Sequence, residues 1–222
     1  MFKVWVLALT LFALPAYAGP SCAGGTIALT FDDGPVPGKT DRILNLLHEA
    51  RVHATFFLVG LNTSQHPELA KRIVKEGHEV GNHTWRHEDL TGPVSLSTID
   101  DTQREIIAAT GKRPQWMRPP YGNTNTAIRA YVASIGLTEV LWTTDSHDWD
   151  GYSPAKILAL VKLTQSGGIV LLHDHGEHTI EALPGILAFF RDNNICAGRL
   201  SNTMERVPFW TDDRAFFVKA VR

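Results

Sequence analysis

Short apolar or β-branched runs alternate with helical patterns along almost the whole of this 222-residue chain. A chain that repeats strand and helix in this way packs its strands into a parallel sheet and its helices against the sheet. The alternation therefore predicts an α/β fold. The predicted strands are Thr26–Phe31, Ala54–Val59, His78–Gly81, Gln115–Met117, Glu139–Trp142, Ile169–Leu172 and Ile195–Leu200, and the predicted helices are Lys39–Arg51, Pro67–Glu76, Ser97–Ala109, Thr126–Ser134, Pro154–Gln165 and Ile180–Asn193.

Residue types that bind metals or transfer protons follow most of these strands directly. In a parallel α/β barrel the carboxyl ends of the strands form one face, so residues distant in sequence converge there. We therefore expect a functional site at this face. The residues concerned are Asp32, Asp33, His83, His87, Arg118, Asp145, Asp148, His173 and Asp174.

Residues 1–18 have the pattern of a secretory signal peptide. Lys3 precedes an apolar run from Val4 to Leu14, and a small-residue pattern ends at Ala18. The run is much shorter than the roughly 20 residues that a membrane-spanning helix needs. We expect an exported protein, periplasmic or secreted, in which residues 19–222 form one domain without a transmembrane segment. A retained N-terminal anchor is the alternative.

The charge balance and the cysteines limit the partners and the compartment. Lysine and arginine number 21 against 23 aspartates and glutamates, so there is no basic excess to bind nucleic acid. The two cysteines, Cys22 and Cys196, flank nearly the whole domain, and an exported protein meets an oxidising compartment. We expect a disulfide between them, with two free buried cysteines as the alternative. Nothing in the sequence determines the oligomeric state, and we assume a monomer.

The first predicted strand ends in two adjacent carboxylates, Asp32 and Asp33, and the following Gly34 and Pro35 predict a sharp turn. Adjacent residues at a strand end point their side chains in different directions. One carboxylate could therefore bind a metal ion while the other stays free as a base. Such a sequence is also common in turns that have no catalytic role, so other motifs in the chain are needed to distinguish the two interpretations.

Two histidines four residues apart, His83 and His87, follow the third predicted strand. In a helical turn this spacing places both imidazoles within reach of one ion, for which zinc is suited. Thr84 stands where the zinc-peptidase pattern carries glutamate, so a general base must come from elsewhere. Asp33 as third ligand would leave open positions for water and substrate. One buried and one solvated histidine without a metal is the alternative.

Three further segments complete a resemblance to a known family. They are Arg118-Pro119-Pro120-Tyr121-Gly122, Asp145-Ser146-His147-Asp148-Trp149 and Ile169-Val170-Leu171-Leu172-His173. With the aspartate turn and the histidine pair, they match in order and spacing the five motifs of the polysaccharide deacetylases, carbohydrate esterase family 4 with the NodB homology domain. The chain resembles this family from about Thr26 to His175. The resemblance implies a distorted (β/α)7-type barrel of parallel strands, with the active site at their carboxyl ends.

The resemblance also implies roles for the matching residues. Asp33, His83 and His87 would bind a divalent metal ion, either Zn²⁺ or, as a second choice, Co²⁺. Asp32 would be the general base, and Arg118 would pair with it and hold it ionised.

The remaining motifs would supply the acid and the pocket. His173 would be the general acid that protonates the leaving amine, with Asp148 rather than Asp145 as its carboxylate partner. The backbone N–H of Tyr121 would stabilise the oxyanion. Trp149 and Leu171 would enclose the acetyl methyl group, unless they only pack in the core. The residues that would bind substrate are thus Tyr121, Trp149 and Leu171.

The family resemblance implies a metal-dependent hydrolase that removes N-acetyl groups from a glycan containing N-acetylglucosamine, either chitin oligosaccharides or peptidoglycan. Two alternatives stay open: an esterase acting on the O-acetyl groups of xylan, and a glycan-binding module without turnover. His175 and His178 suggest a second metal site but fit a polar loop equally well. The C-terminal stretch Val207–Arg222, which contains several aromatic residues, lies outside the resemblance and could cover the barrel bottom or dock a partner.

Overall fold

The computed structural model of the protein describes residues 22–201. The predicted signal peptide, residues 1–18, and the C-terminal stretch Val207–Arg222 lie outside these residues. Within residues 22–201, no helix combines the length and the apolar character that crossing a membrane would require.

Eight parallel strands form one sheet that curls into a half-barrel. The strands are β1 Thr26–Gly34, β2 Thr55–Leu58, β3 Glu79–Asn82, β4 Trp116–Met117, β5 Thr138–Glu139, β6 Thr144–Asp145, β7 Ile169–His173 and β8 Cys196–Gly198. Their hydrogen-bonded order is β5-β4-β3-β2-β1-β7-β6, and β8 pairs with the first residues of β1. The prediction of a distorted parallel α/β barrel is confirmed.

The helices cover the outside of the sheet. They are α1 Thr40–Ala50, α2 Gly60–Gln65, α3 Pro67–Lys75, α4 Ser97–Thr110, α5 Thr126–Ser134, α6 Pro154–Val161 and α7 Glu177–Asp192. In α1, Ile43, Leu44 and Leu47 recur at helical spacing and are buried in the main hydrophobic core. At the start of α5, Asn125 caps the helix by accepting a hydrogen bond from the backbone N–H of Ile128.

The central strand β1 determines where the first carboxylate points. Successive side chains of a strand point to opposite sides of the sheet. Leu29 and Phe31 pack in the main core, where burial of each such side chain stabilises the fold by roughly 1.5–3 kcal/mol. Thr30 and Asp32 point to the other side, and both accept hydrogen bonds from Arg118.

Several elements differ from the sequence prediction: α6 ends at Val161 rather than Gln165, and β8 covers Cys196–Gly198 rather than Ile195–Leu200. The strand predicted at Glu139–Trp142 is reduced to Thr138–Glu139, because the carbonyls of Val140 and Leu141 accept hydrogen bonds from the guanidinium of Arg118. The two-residue strand β6 and the six-residue helix α2 were not predicted, since neither is long enough to show a hydrophobic period.

A disulfide joins the start of the described chain to the last strand. The Cα atoms of Cys22 and Cys196 lie 5.2 Å apart, and 174 residues separate them in sequence. The backbone supports this junction, because the N–H of Gly24 donates to the carbonyl of Asn194 and the N–H of Cys196 donates to that of Gly25.

Candidate active site

A cavity of about 350 Å³ lies at the carboxyl ends of the strands, within the usual size range of small-molecule sites. Twelve residues line it. Eight of them are residues to which the family resemblance gives a role: Asp32, Asp33, His83, His87, Tyr121, Trp149, Leu171 and His173. The other four are Pro119, Trp142, Asp145 and His175.

Arg118 is fully buried behind the cavity and holds Asp32. Its Nη1 donates to Asp32 Oδ1 at 2.8 Å and to the hydroxyl of Thr30 at 2.9 Å. The guanidinium also lies 4.2 Å from the ring centroid of Phe57. Burial lowers the pKa of Arg118, but the charge of Asp32 opposes this shift. Because the ion pair engages Oδ1, the other oxygen of Asp32, Oδ2, points towards His83. It lies 3.7 Å from His83 Nε2.

Asp33, His83 and His87 come together at one point of the cavity. Asp33 Oδ1 lies 3.3 Å from Nε2 of each histidine. One ligand atom from each residue lies within 4.8 Å of the others, and this is the one such cluster of acidic, histidine or cysteine ligands among residues 22–201. Burial alone would raise the pKa of Asp33, but contacts with His175 and His83 hold it below its ordinary value.

The segment from His83 to His87 is a loop, so the helical turn suggested by the spacing is wrong. Thr84 and His87 have left-handed φ angles of 63° and 62°, which a helix excludes. Asn82 Oδ1 accepts a hydrogen bond from the N–H of Thr84, and Thr84 Oγ1 accepts one from the N–H of Glu88. These side-chain bonds compete with helical ones, yet both imidazoles still reach the same carboxylate.

The cluster of Asp33, His83 and His87 has the donor chemistry of a divalent metal site. Asp33 Oδ1 is buried and has no hydrogen-bond partner within the described part of the chain. The Nδ1–H of His83 donates to the carbonyl of Arg118 at 2.7 Å, which leaves the Nε2 lone pair for a metal ion. Burial lowers the pKa of His83, but the charges of Asp32 and Asp33 raise it above its ordinary value. The same negative charge favours a cation, so these residues fit the metal.

His173 and Asp148 form a second charged pair at the cavity. The Nδ1–H of His173 donates to Asp148 Oδ1 at 2.8 Å, and the backbone N–H of His173 donates to Oδ2 at 2.7 Å. The hydroxyl of Thr179 also donates to Oδ2. Burial lowers the pKa of His173, but the hydrogen bond and charge of Asp148 raise it to about 9. Because Nδ1 is engaged, Nε2 is the nitrogen available to the cavity.

Asp145, the other carboxylate of the motif that contains Asp148, contacts Trp149 and not His173. Its Oδ1 accepts hydrogen bonds from Trp149 Nε1–H at 3.2 Å and from the backbone N–H of His147 at 2.8 Å. Trp149 is 55% exposed and Tyr121 is 65% exposed, whereas Leu171 is buried. The cavity therefore has two aromatic side chains open to solvent and an apolar residue inside.

Two cavity residues had no role in the sequence interpretation. Trp142 was placed only at the end of a predicted strand, and it lines the cavity. For His175 the sequence left a second metal site and a polar loop open, and its Nε2 lies 3.2 Å from Asp33 Oδ2. No spacing rule connects His175 with Asp33, so only the fold reveals the contact. His178 is not among the cavity-lining residues or in the metal cluster found in residues 22–201.

Comparison with known proteins shows that the chain is similar to proteins named as deacetylases. The family model described as polysaccharide deacetylase matches residues 21–140. The peptidoglycan-N-acetylmuramic acid deacetylase PdaC of Bacillus subtilis is 38% identical over 170 residues, 75% of this chain and 36% of that protein. The chitooligosaccharide deacetylase of Bradyrhizobium sp. is 39% identical over 169 residues, 74% of this chain and 77% of that protein. The chain thus spans about a third of the length of the first relative.

A solved structure extends the likeness beyond the segment that the family model matches. The family 4 carbohydrate esterase from Streptomyces lividans in complex with acetate has a TM-score of 0.76 to this protein at 37% sequence identity. The match covers 80% of this chain and 93% of that one. Since residues 21–140 are a smaller share of the chain, the likeness also includes residues outside that range.

Proposed function

The chain belongs to the polysaccharide deacetylase family, and on that basis we propose that it is a metal-dependent hydrolase that removes N-acetyl groups from a glycan and releases acetate. One observation carries the proposal: a single cavity is lined by Asp32, by the ligand cluster of Asp33, His83 and His87, and by His173. The proposed substrates contain N-acetylglucosamine. Peptidoglycan and chitin oligosaccharides are the preferred candidates, because one relative is named as a peptidoglycan deacetylase and the other as a chitooligosaccharide deacetylase.

Asp33, His83 and His87 would hold the divalent ion, which we propose to be zinc, with cobalt as the second choice. Such an ion, when bound, lowers the pKa of water towards about 7 and polarises the carbonyl oxygen. The residues around it then have to move two protons in opposite directions.

Asp32 is the proposed general base. Its Oδ1 is occupied by Arg118, and its Oδ2 is directed to the ligand cluster, so Oδ2 accepts the proton of the attacking water. The water oxygen then forms a bond to the acetamide carbon. The backbone N–H of Tyr121 would donate to the oxyanion, and Trp149 and Leu171 would enclose the methyl group.

His173 is the proposed general acid. When the carbon–nitrogen bond breaks, Nε2 gives its proton to the leaving nitrogen, which departs as a neutral amine rather than as an amide anion. Asp148 keeps His173 protonated by raising its pKa to about 9. Base and acid therefore line one cavity with opposite charges.

Acetate release tests the proposed function. After chelation and restoration of zinc or cobalt, the protein is incubated with chitin oligosaccharides, peptidoglycan or acetylxylan, and acetate is assayed. We expect metal-dependent release from the amino sugars. Release from acetylxylan alone would contradict the deacetylase activity and support an esterase activity instead. No release from any of the three substrates would contradict both enzyme activities and favour a glycan-binding module without turnover.

The esterase is the second candidate, and one observation favours it: the structurally similar Streptomyces lividans protein is described as a carbohydrate esterase. The same oxyanion forms in both reactions, so the site geometry does not separate amide from ester. The binding module is disfavoured because Asp32, Arg118, Asp148 and His173 are all present and in mutual contact as two pairs.

The proposed acid predicts a pH effect for Asp148→Asn. A general acid works only while protonated, so kcat declines as the pH rises through its pKa. In the native protein, Asp148 opposes the effect of burial and raises the pKa of His173 to about 9. Asparagine has no charge to oppose burial, so the pKa of His173 should fall. We expect the alkaline limb of the pH profile of kcat to move to lower pH. Measurement of kcat between pH 6 and 10 at saturating zinc checks this, and an unmoved limb would contradict the pairing.

We further propose that residues 19–222 form a single exported catalytic domain that acts as a monomer. The Cys22–Cys196 disulfide supports an oxidising compartment. The proposed signal peptide lies outside the described residues. Mass determination of protein recovered from the extracellular or periplasmic fraction would reveal whether residues 1–18 have been removed.

A further inference from the structure

The two oxygens of Asp33 have different partners. Oδ1 lies 3.3 Å from Nε2 of both His83 and His87, at the point where a metal ion would bind. Oδ2 lies 3.2 Å from Nε2 of His175, within hydrogen-bonding distance. One imidazole therefore contacts the carboxylate from the side that the ligand cluster leaves open.

His175 is not a member of that cluster. The ligand atoms of Asp33, His83 and His87 all lie within 4.8 Å of one another, and His175 does not meet this condition with them. The contact of His175 is therefore with the carboxylate, and its position is that of a residue that orients a ligand.

The chain around His175 is tied to the end of β1. The N–H of Asp174 donates to the carbonyl of Asp32 at 3.2 Å. The buried carboxylate of Asp174 accepts a hydrogen bond from the hydroxyl of Thr40 at 2.6 Å. A Cβ atom at position 34 would overlap this carboxylate, so Gly34 permits the close approach. The loop after β7 thus packs on the turn that carries the metal-binding carboxylate, which places His175 reproducibly beside it.

This placement has a consequence for metal binding. A carboxylate can rotate about its terminal bond and bind an ion through one oxygen or both. When Oδ2 is held by an imidazole, Oδ1 alone remains for the ion, in a fixed orientation. Partners that orient a metal ligand in this way typically contribute about 10–100-fold to metal affinity.

We propose that His175 is a positioning residue of the metal site, which holds Asp33 so that Oδ1 binds the ion. The inference rests on the proposed metal site and not on the identity of the substrate. It assigns His175 no proton transfer and no contact with the ion.

Zinc affinity of the whole exported protein tests the inference by competition with a chromophoric chelator. We expect His175→Ala to weaken zinc binding about 10–100-fold. In His175→Gln the side-chain amide nitrogen takes the place of Nε2, so we expect most of the affinity to return. In His175→Asn the amide nitrogen takes the place of Nδ1 and falls short of Asp33, so we expect affinity close to that of the alanine variant.

The exposed His178 provides the matched control, since His178→Ala removes an imidazole three residues away without touching the ligand cluster. Thermal unfolding of the metal-free variants verifies that each is folded. Unchanged zinc affinity in His175→Ala, or equal affinity in the Gln and Asn variants, would overturn the inference. The titration needs no substrate, so failure of the deacetylase proposal would appear separately, as wild-type protein that binds zinc and releases no acetate.

Discussion

Asp32→Asn is expected to lower kcat for N-deacetylation by about 10²–10⁴-fold, the usual contribution of a general base. Asparagine cannot accept the proton of the attacking water. It keeps an oxygen that can accept the hydrogen bond from the buried Arg118, which an alanine at this position would remove. The substitution therefore separates loss of the base from loss of the local structure better than alanine does.

Steady-state acetate release at saturating zinc measures this effect, together with zinc affinity and the melting temperature. Asp101→Asn is the matched control, because it removes a carboxylate from a surface ion pair with Arg104. We expect the control to behave as wild type. If Asp32→Asn retained activity within about tenfold, well short of the 10²–10⁴-fold typical of a general base, Asp32 would not be the base.

His173→Ala is expected to affect amides more than esters. An amine leaves only when protonated, so loss of the acid should lower kcat on N-acetyl substrates by about 10²–10⁴-fold. An alcohol leaves with much less help, so the loss on an O-acetyl ester should be smaller. The structure supports this assignment because Asp148 orients the ring through Nδ1 and leaves Nε2 for the leaving group.

Parallel assays on a chitin oligosaccharide and on an activated acetate ester compare the two losses in one protein. His178→Ala again controls for removal of an imidazole, since His178 does not line the cavity. Equal losses on both substrates would remove His173 from the role of acid and indicate that it binds or orients the acetyl group.

The fold was largely predictable because its long strands and helices have clear hydrophobic periods. β1 and β7 are buried runs of the expected type, and α1 carries its apolar residues at helical spacing. The exceptions are short. Strand β6 has two residues and pairs with β7 only through Thr144 and Asp145, and a pairing of that length leaves no periodic pattern to detect.

The candidate site was predictable as a set of residues but not as a geometry. The aspartates, histidines and arginine that follow the strands indicated the position of the active site. Most of them line one cavity. The two histidines after β3 were expected on a helical turn. Instead, the side-chain oxygens of Asn82 and Thr84 accept backbone hydrogen bonds and shape a loop with left-handed residues. Local spacing carries no information about such competing hydrogen bonds.

The sequence by itself determined the fold class, the family and the types of side chain at the strand ends, because these depend on local periodicity and on motifs that are contiguous along the chain. The pairing of His173 with Asp148 was already implied by the family resemblance. Only the tertiary structure decided the contact of His175 with Asp33, which comes from a loop more than a hundred residues away. Contacts of this kind depend on how separate loops pack over the sheet, and no periodicity along the chain encodes that packing.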